Sequence, residues 1–472
     1  MKRIVILIVI VLLIFSVDLI SQGVKFSQIY GGLLEFQPFS LTETPDGGYL
    51  LAGGMSTLNG SDYKIVKTDS LGNVQWINSG NRYDGSNFES KIFSVFYLDN
   101  YYYLTGMIVT DFSQFIPKAY FVKCDTLGNI IWDRIDSSLS SYGKRIVGSK
   151  DRNLLFTGFV ANNIFGIKYN SWFGKIDTSG TFLWSEVIPD TTLIYATDVV
   201  ELNNRFIVSS IAYRDTGSAS IYGSILNCID SLGNVYWNYT EKDTSYNGIS
   251  NLIIDSAYIY VGQFYASNSY SPNSYYSSII KFDTSGNFIW RNDFSNLQFR
   301  GKGWNVYVTK TNDNNLFAVC QGLNIVKLDK NGTNIWQREQ DTTFYETQQS
   351  ILNSKGNLVT TGYFHMSGML QVPFLVEYYD TTLTNMSSIQ DGIKLNIFPN
   401  PFTTGIYIHS DLNGYGYVEL YNLVGSLLTR FEIINGLNYI DLPKLPNGVY
   451  FLSVMNNNLT KVFKIIKNNN HF

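Results

Sequence analysis

One spacing occurs six times in this chain and constrains its fold more than anything else: an aspartate, a glycine three residues on, and a tryptophan four residues after that. The copies are Asp69/Gly72/Trp76, Asp125/Gly128/Trp132, Asp177/Gly180/Trp184, Asp230/Gly233/Trp237, Asp283/Gly286/Trp290 and Asp329/Gly332/Trp336. Successive tryptophans lie 56, 52, 53, 53 and 46 residues apart while the aspartate-to-tryptophan separation stays at seven, so the variation sits in loops. A period near fifty is too long for most helical repeats, and no unit shows a 3.6-residue apolar periodicity. The units read as strands.

In the first unit, 36–42, the turn Pro45-Asp46-Gly47-Gly48, 49–53, 63–67 and the segment through Val74-Gln75-Trp76 make four short strands. Later units repeat the 49–53 strand, read as the inner one, as Tyr103-Leu104-Thr105-Gly106, Leu155-Phe156-Thr157-Gly158, Ile259-Tyr260-Val261-Gly262 and Val359-Thr360-Thr361-Gly362. Four such strands with turns fill roughly forty to fifty residues, the size of a propeller blade. We pair each aspartate with the aromatic that opens its unit: Phe26 with Asp69, Trp76 with Asp125, Trp132 with Asp177, Trp184 with Asp230, Trp237 with Asp283, Trp290 with Asp329 and Trp336 with Asp380. The count is seven. The first unit lacks its tryptophan and the seventh lacks the glycine and tryptophan, as terminal repeats do.

The repeated residues have a local physical reason. Glycine permits a positive-φ turn, the aspartate side chain accepts backbone N–H groups across it, and the tryptophan offers an apolar face to a neighbouring blade. The motif resembles the tryptophan-docking repeats of quinoprotein-like propellers, with the loop one residue shorter. Residues 26–380 as a whole look like the secreted propellers of gliding and environmental Bacteroidota, which carry Asp-Gly-Gly-Tyr and Lys-x-Asp-x-x-Gly-Asn-x-x-Trp repeats. That resemblance implies a fold rather than a substrate.

A content of 34 Tyr and 31 Phe suits half-buried strands, and a net charge of −4 indicates no nucleic-acid footprint. Cys124, Cys228 and Cys320 read as small buried hydrophobes, because Cys124 and Cys228 fall on opposite faces of equivalent strands in blades that are not neighbours. At the N-terminus, Lys2-Arg3 precede an apolar run over 4–15 and then polar residues, which reads as a signal peptide over 1–21. An uncleaved anchor is the alternative; after cleavage no transmembrane segment is expected.

Beyond residue 380 the repeat stops. Residues 381–392 read as a polar linker, and 393–472 as seven short strands of a small sandwich: 395–398, 406–408, 417–421, 427–434, 439–442, 449–452 and 461–466. Four motifs here, Phe398-Pro399-Asn400-Pro401, the turn ending at Gly425, Leu445-Pro446-Asn447-Gly448-Val449-Tyr450 and Lys461-Val462-Phe463-Lys464, resemble the type A sorting domain of the Bacteroidota type IX secretion system. The resemblance implies recognition by the outer-membrane translocon and a protein secreted or attached to the cell surface. The tail 468–472 extends past the usual basic end of that domain. The expected architecture is all-β: a seven-bladed β-propeller over 22–380, followed by a small Ig-like β-sandwich sorting domain.

Only His365, His409 and His471 occur, and no phosphate loop, His-Glu-x-x-His or Cys-x-x-Cys motif is present, so no catalytic residues, metal or cofactor are assigned. A carboxylate-pair hydrolase or lyase acting on polysaccharide stays open as the alternative function. Each Asp-x-x-Gly turn offers one carboxylate where calcium needs six to eight oxygens, so a plain turn is expected. Asp69-Ser70-Leu71, Asp125-Thr126-Leu127 and Asp230-Ser231-Leu232 look like the short acceptor motif of a Bacteroidota O-glycosylation system.

Connections at one repeat position are long over 107–118, 160–170 and 263–278 but short over 320–324, which points to a loop-rich face. In the fifth unit that connection carries Tyr265, Tyr270, Tyr275 and Tyr276 among small polar residues, a composition suited to sugar stacking. The expected function is binding or adhesion outside the cell, toward a glycan or protein; a structural surface component is the other open reading.

Overall fold

The computed structural model describes residues 24–30, 36–54, 62–79, 89–109, 116–136, 140–161, 169–188, 193–215, 220–241, 246–266, 275–294, 305–338, 345–365 and 371–379, and further on 395–398, 402–410, 416–422, 427–442, 444–456 and 459–467. The leader over 1–21, the linker over 381–392 and Asp380 lie outside them. Two compact units emerge, one ending at Tyr379 and one running from Asp380 to Phe472.

The first unit holds seven four-stranded antiparallel sheets. Their innermost strands are Gln37–Glu43, Glu89–Leu98, Ser141–Gly148, Leu193–Leu202, Tyr246–Asp255, Val306–Lys310 and Tyr345–Leu352. Each innermost strand packs on the next and the seventh returns to the first, so the blades close into a ring. The inner strands read from sequence, such as Tyr49–Gly54 and Tyr101–Val109, are second from the axis. Outer strands such as Val74–Ser79 and Val235–Thr240 alternate between exposed and half-buried, while the second strands are buried almost throughout.

Six of the innermost strands carry a bulge that leaves one residue unpaired: Phe39, Phe93, Lys144, Thr197, Ser250 and Gln348. The second strand accommodates it with glycine in four blades. A Cβ on Gly53, Gly106, Gly158 or Gly362 would fall within 2 Å of an inner-strand carbonyl, that of Gln37, Lys91, Tyr142 or Glu346. In the fifth blade this position is Gln263, not Gly262 as the repeated tetrapeptides imply, because Gln263 pairs with Ile249 just before the bulge.

Residues following the bulges form a polar belt between blades. Ser40 Oγ accepts from Val95 N (3.0 Å), Ser94 Oγ from Ile146 N (3.2 Å), Asp198 Oδ2 from Leu252 N (2.9 Å), Asn251 Oδ1 from Val308 N (2.9 Å) and Gln349 Oε1 from Leu41 N (2.8 Å). Buried backbone donors on the ring's inner edge thus find side-chain acceptors one blade away.

Each outer-strand tryptophan belongs to the blade of its own aspartate, and most reach forward onto the glycine of the next. A Cβ on Gly128, Gly180, Gly286 or Gly332 would meet Trp76, Trp132, Trp237 or Trp290 at 2.5–3.0 Å, and at Gly72 it would meet Phe26 at 2.8 Å. Trp132 and Trp237 also donate through Nε1 to the carbonyls of Thr178 and Thr284, each at 3.2 Å. Gly233 is the exception. It keeps the turn, with φ +77° and its N–H donated to the Asp230 carbonyl at 3.2 Å, but a Cβ there would meet only the Glu186 side chain, at 3.6 Å. The reason is that Trp184, which should cover it, packs instead on Phe206 of the fourth blade, with ring centroids 5.0 Å apart. Sequence units that open at the aromatic are offset by one strand from the sheets.

The seventh sheet is split between the two ends of the propeller. Its outer strand is Val24–Ile29, paired antiparallel with Gln371–Tyr378. Here the repeat changes charge. Lys67, Lys123, Lys175, Lys281 and Lys327 share one register on the third strands, Cys228 takes that place in the fourth blade, and Glu377 takes it in the seventh. This register puts Tyr379 at the aspartate position, one residue before the expected Asp380. Fully buried Glu377 accepts from Lys25 Nζ (3.0 Å), Tyr49 Oη (2.7 Å), Asn353 Nδ2 (2.9 Å) and Asn357 Nδ2 (2.7 Å).

The second unit is a sandwich of Leu395–Phe398, Gly405–Ser410 and Gly436–Asp441 against Leu427–Ile433, Gly416–Tyr421, Gly448–Asn456 and Leu459–Lys467. Its core includes Phe402, Ile406, Val418, Leu420, Ile440, Leu452 and Ile465. Tyr450 is buried in this core and turns its hydroxyl to the Pro446 carbonyl at 2.8 Å. Gly448 starts the strand paired with Lys467, Lys464 pairs with Phe451, and Phe398 pairs with Tyr407. Pro399, Asn400, Pro401 and Gly425 lie outside the described residues.

Candidate binding site

The repeated turns are internally satisfied. Asp69 Oδ1 accepts from the N–H groups of Leu71 (2.8 Å) and Asn73 (2.9 Å), and Oδ2 from the Asn73 side chain (2.8 Å). Asp125, Asp230 and Asp283 repeat the arrangement. At Asp125 the Asn129 amide and the turn's backbone donors hold the carboxyl below its ordinary value. Among the described residues no group of three His, Cys, Asp or Glu is placed to hold a metal ion. Cys124, Cys228 and Cys320 are free thiols, all buried.

Tyr265, Tyr275 and Tyr276 of the fifth blade are on strands rather than in a loop, because cross-strand pairing continues past the expected ends. Tyr258–Ala266 and Tyr275–Asp283 form a regular ladder in which Tyr265 faces Tyr276 and Ala266 faces Tyr275. The rings of Tyr265 and Tyr276 stack at 5.2 Å and 29°, and the Arg291 guanidinium lies 4.3 Å from the Tyr265 centroid. Arg291 is held by Glu241 of the preceding blade (2.6 Å) and by Asp293 (2.5 Å). Gln263 also reaches Glu241 and donates to Ser224 at 3.0 Å. Tyr270 lies outside the described residues, as does the Tyr275 side chain.

A larger aromatic group, missed by the sequence reading, stands at the same end of the third blade. Tyr142 and Phe159 stack at 4.4 Å and 26°, Tyr169 meets Phe159 edge-on at 5.2 Å, and Tyr195 of the fourth blade meets Phe159 at 5.1 Å. All four are half-buried. Burial, with Tyr169, Glu89 and Tyr195 nearby, raises the Tyr142 phenol well above its ordinary value, so it stays a neutral donor. These residues come from three strands and a neighbouring blade, so no local spacing signals them.

Ring and sandwich together define the class, a β-propeller protein with a separate C-terminal sorting unit. Residues 396–468 match the family described as the secretion system C-terminal sorting domain. The protein is thus handled by the type IX secretion machinery and is secreted or attached at the outer-membrane surface. Among the described residues no helix is long and apolar enough to cross a membrane.

Among solved structures, the chain is similar to BamB from Moraxella catarrhalis at 12% identity, covering 74% of this chain and 85% of that one with a TM-score of 0.39. It is similar to Sqt1 from Chaetomium thermophilum at 11% identity, covering 76% and 98% with a TM-score of 0.44. A protein of unknown function from Dyadobacter fermentans matches at 10% identity, covering 75% and 98% with a TM-score of 0.43. No curated protein matches the sequence.

Proposed function

We propose that the propeller is a non-catalytic recognition module that binds a glycan through aromatic side chains at the end of the ring where second and third strands connect. The observation that carries this reading is the half-buried group Tyr142, Phe159, Tyr169 and Tyr195, held ring on ring beside the 160–170 connection. Packed aromatics of this kind lose little side-chain entropy on binding and pair an apolar face with hydroxyl edges, which matches a sugar ring. Tyr265 and Tyr276 supply a second platform at the equivalent end of the fifth blade, joined in this reading by Tyr270 and Tyr275.

The test incubates the full-length chain with a panel of polysaccharides while retention and new reducing ends are both followed. Retention without cleavage, weakened at least tenfold by Phe159→Ala with Tyr169→Ala, supports glycan recognition at the third blade. Loss on Tyr265→Ala with Tyr276→Ala instead moves the site to the fifth. New reducing ends overturn the non-catalytic reading in favour of a hydrolase or lyase. No retention and no cleavage shift the role to protein binding or surface architecture.

A further inference from the structure

The bulges place one side chain from each of six blades on the inner edge of the ring, and those of the first three blades form a continuous group. Phe39 and Phe93 meet at 5.4 Å and 49°, and the Lys144 ammonium lies 5.1 Å from the Phe93 centroid. Lys144 is exposed to water. Among the described residues it makes no hydrogen bond or ion pair. Its neighbour Arg145 has a partner, lying 3.2 Å from Asp198 Oδ1. Asp198 is held in turn by backbone donors: Oδ1 also accepts from Val199 N and Oδ2 from Leu252 N, each at 2.9 Å. Tyr307 of the sixth blade, across the ring, is close enough to feel the charges of both Arg145 and Asp198. Arg145 thus takes the Asp198 carboxylate, and Lys144 keeps its charge beside the Phe93 ring.

We infer that the inner edge of the ring at the first three blades is a second binding site, separate from the aromatic groups on the rim, that takes a carboxylate carried beside an apolar ring or face. Lys144 pairs with the carboxylate, and Phe39 and Phe93 cover the apolar flank. A charge-assisted bond is stronger than a neutral one, so the neutral counterpart binds much less well.

The full-length chain is titrated calorimetrically with phenylacetate and, as the neutral counterpart, phenylacetamide. Mass spectrometry then follows protection of Lys144 from reductive methylation by each compound. Saturable phenylacetate binding at least tenfold tighter than phenylacetamide, with Lys144 protected by the acid alone, is expected. Lys144→Gln removes the difference between the two compounds, and Phe93→Leu weakens both, with unfolding midpoints confirming that each variant folds. Equal binding of acid and amide, unchanged binding in Lys144→Gln, or no Lys144 protection overturns the site. Phe159→Ala with Tyr169→Ala leaves phenylacetate binding unchanged, so this site stands or falls independently of glycan recognition on the rim.

Discussion

At the scale of single residues, the repeat glycines other than Gly233 combine two demands that substitution separates. Gly286 has φ +86°, and a Cβ there would sit 2.5 Å from the Trp237 ring; Gly47 has φ +75° and nothing within 4 Å. Gly47→Ala is expected to lose about 1–2 kcal/mol from left-handed backbone alone. Gly286→Ala adds overpacking against the ring, about 1–3 kcal/mol more. Denaturant unfolding of the two variants measures the difference, and equal losses would remove the tryptophan contact as a stabilising element. The glycine and tryptophan are legible in the sequence because their separation is fixed. Which glycines receive the ring of the preceding blade is not, since those partners lie a full repeat apart, and Gly233 carries the same local spacing without the contact. The third-strand lysine also recurs visibly, but its partner varies. Lys67, Lys175 and Lys327 pair with Asp46, Asp151 and Asp313, whereas Lys123 and Lys281 lie 3.9 and 3.8 Å over the rings of Tyr101 and Tyr258 and donate to a carbonyl of the next blade.

Between elements, the lysine–aspartate pairs tie a blade's first turn to its third strand and make stability depend on acid. Burial alone would raise the Asp46 carboxyl, but Lys67, Thr44 and the Gly48 N–H outweigh it and bring it from 3.8 down to about 2. Asp313 falls to about 2 in the same way, through Lys327 and Thr311. A carboxyl depressed on folding stabilises the fold fully above its unfolded pKa and loses that contribution as pH falls through its folded one. The contribution is therefore intact above about pH 4 and disappears toward pH 2. Thermal midpoints between pH 2 and 6 should fall more steeply for the native chain than for Asp46→Asn with Asp313→Asn; parallel curves would mean the pairs contribute nothing. Strand existence in both units is legible because alternation and turn residues are local. The bulges are not: the strand-ending glycines that accommodate four of them are visible, yet the displaced residue lies in another strand. The same blindness hid Lys144 and the rim aromatics around Phe159.

For the whole molecule, the number seven can be counted from repeats, but the closure cannot, because Phe26 stands in for a tryptophan and Glu377 for a lysine. Glu377→Gln is expected to destabilise by roughly 1–3 kcal/mol, since it weakens charge-assisted bonds from four buried or half-buried donors. Deleting residues 24–29 should lower the unfolding midpoint further and promote association, because Gln371–Tyr378 then becomes a bare sheet edge. Light scattering and thermal unfolding check both, and a deletion variant as stable and monomeric as the parent would show that the ring closes without its first strand. The closing strand has a mechanical corollary. In six blades the chain leaves by an outer strand, which a pull would unzip one hydrogen bond at a time. In the seventh it leaves by a strand flanked on both sides, so tension arriving from the sorting unit must shear two ladders at once. A propeller held by its C-terminal side against flow would carry that load at its most strongly joined blade.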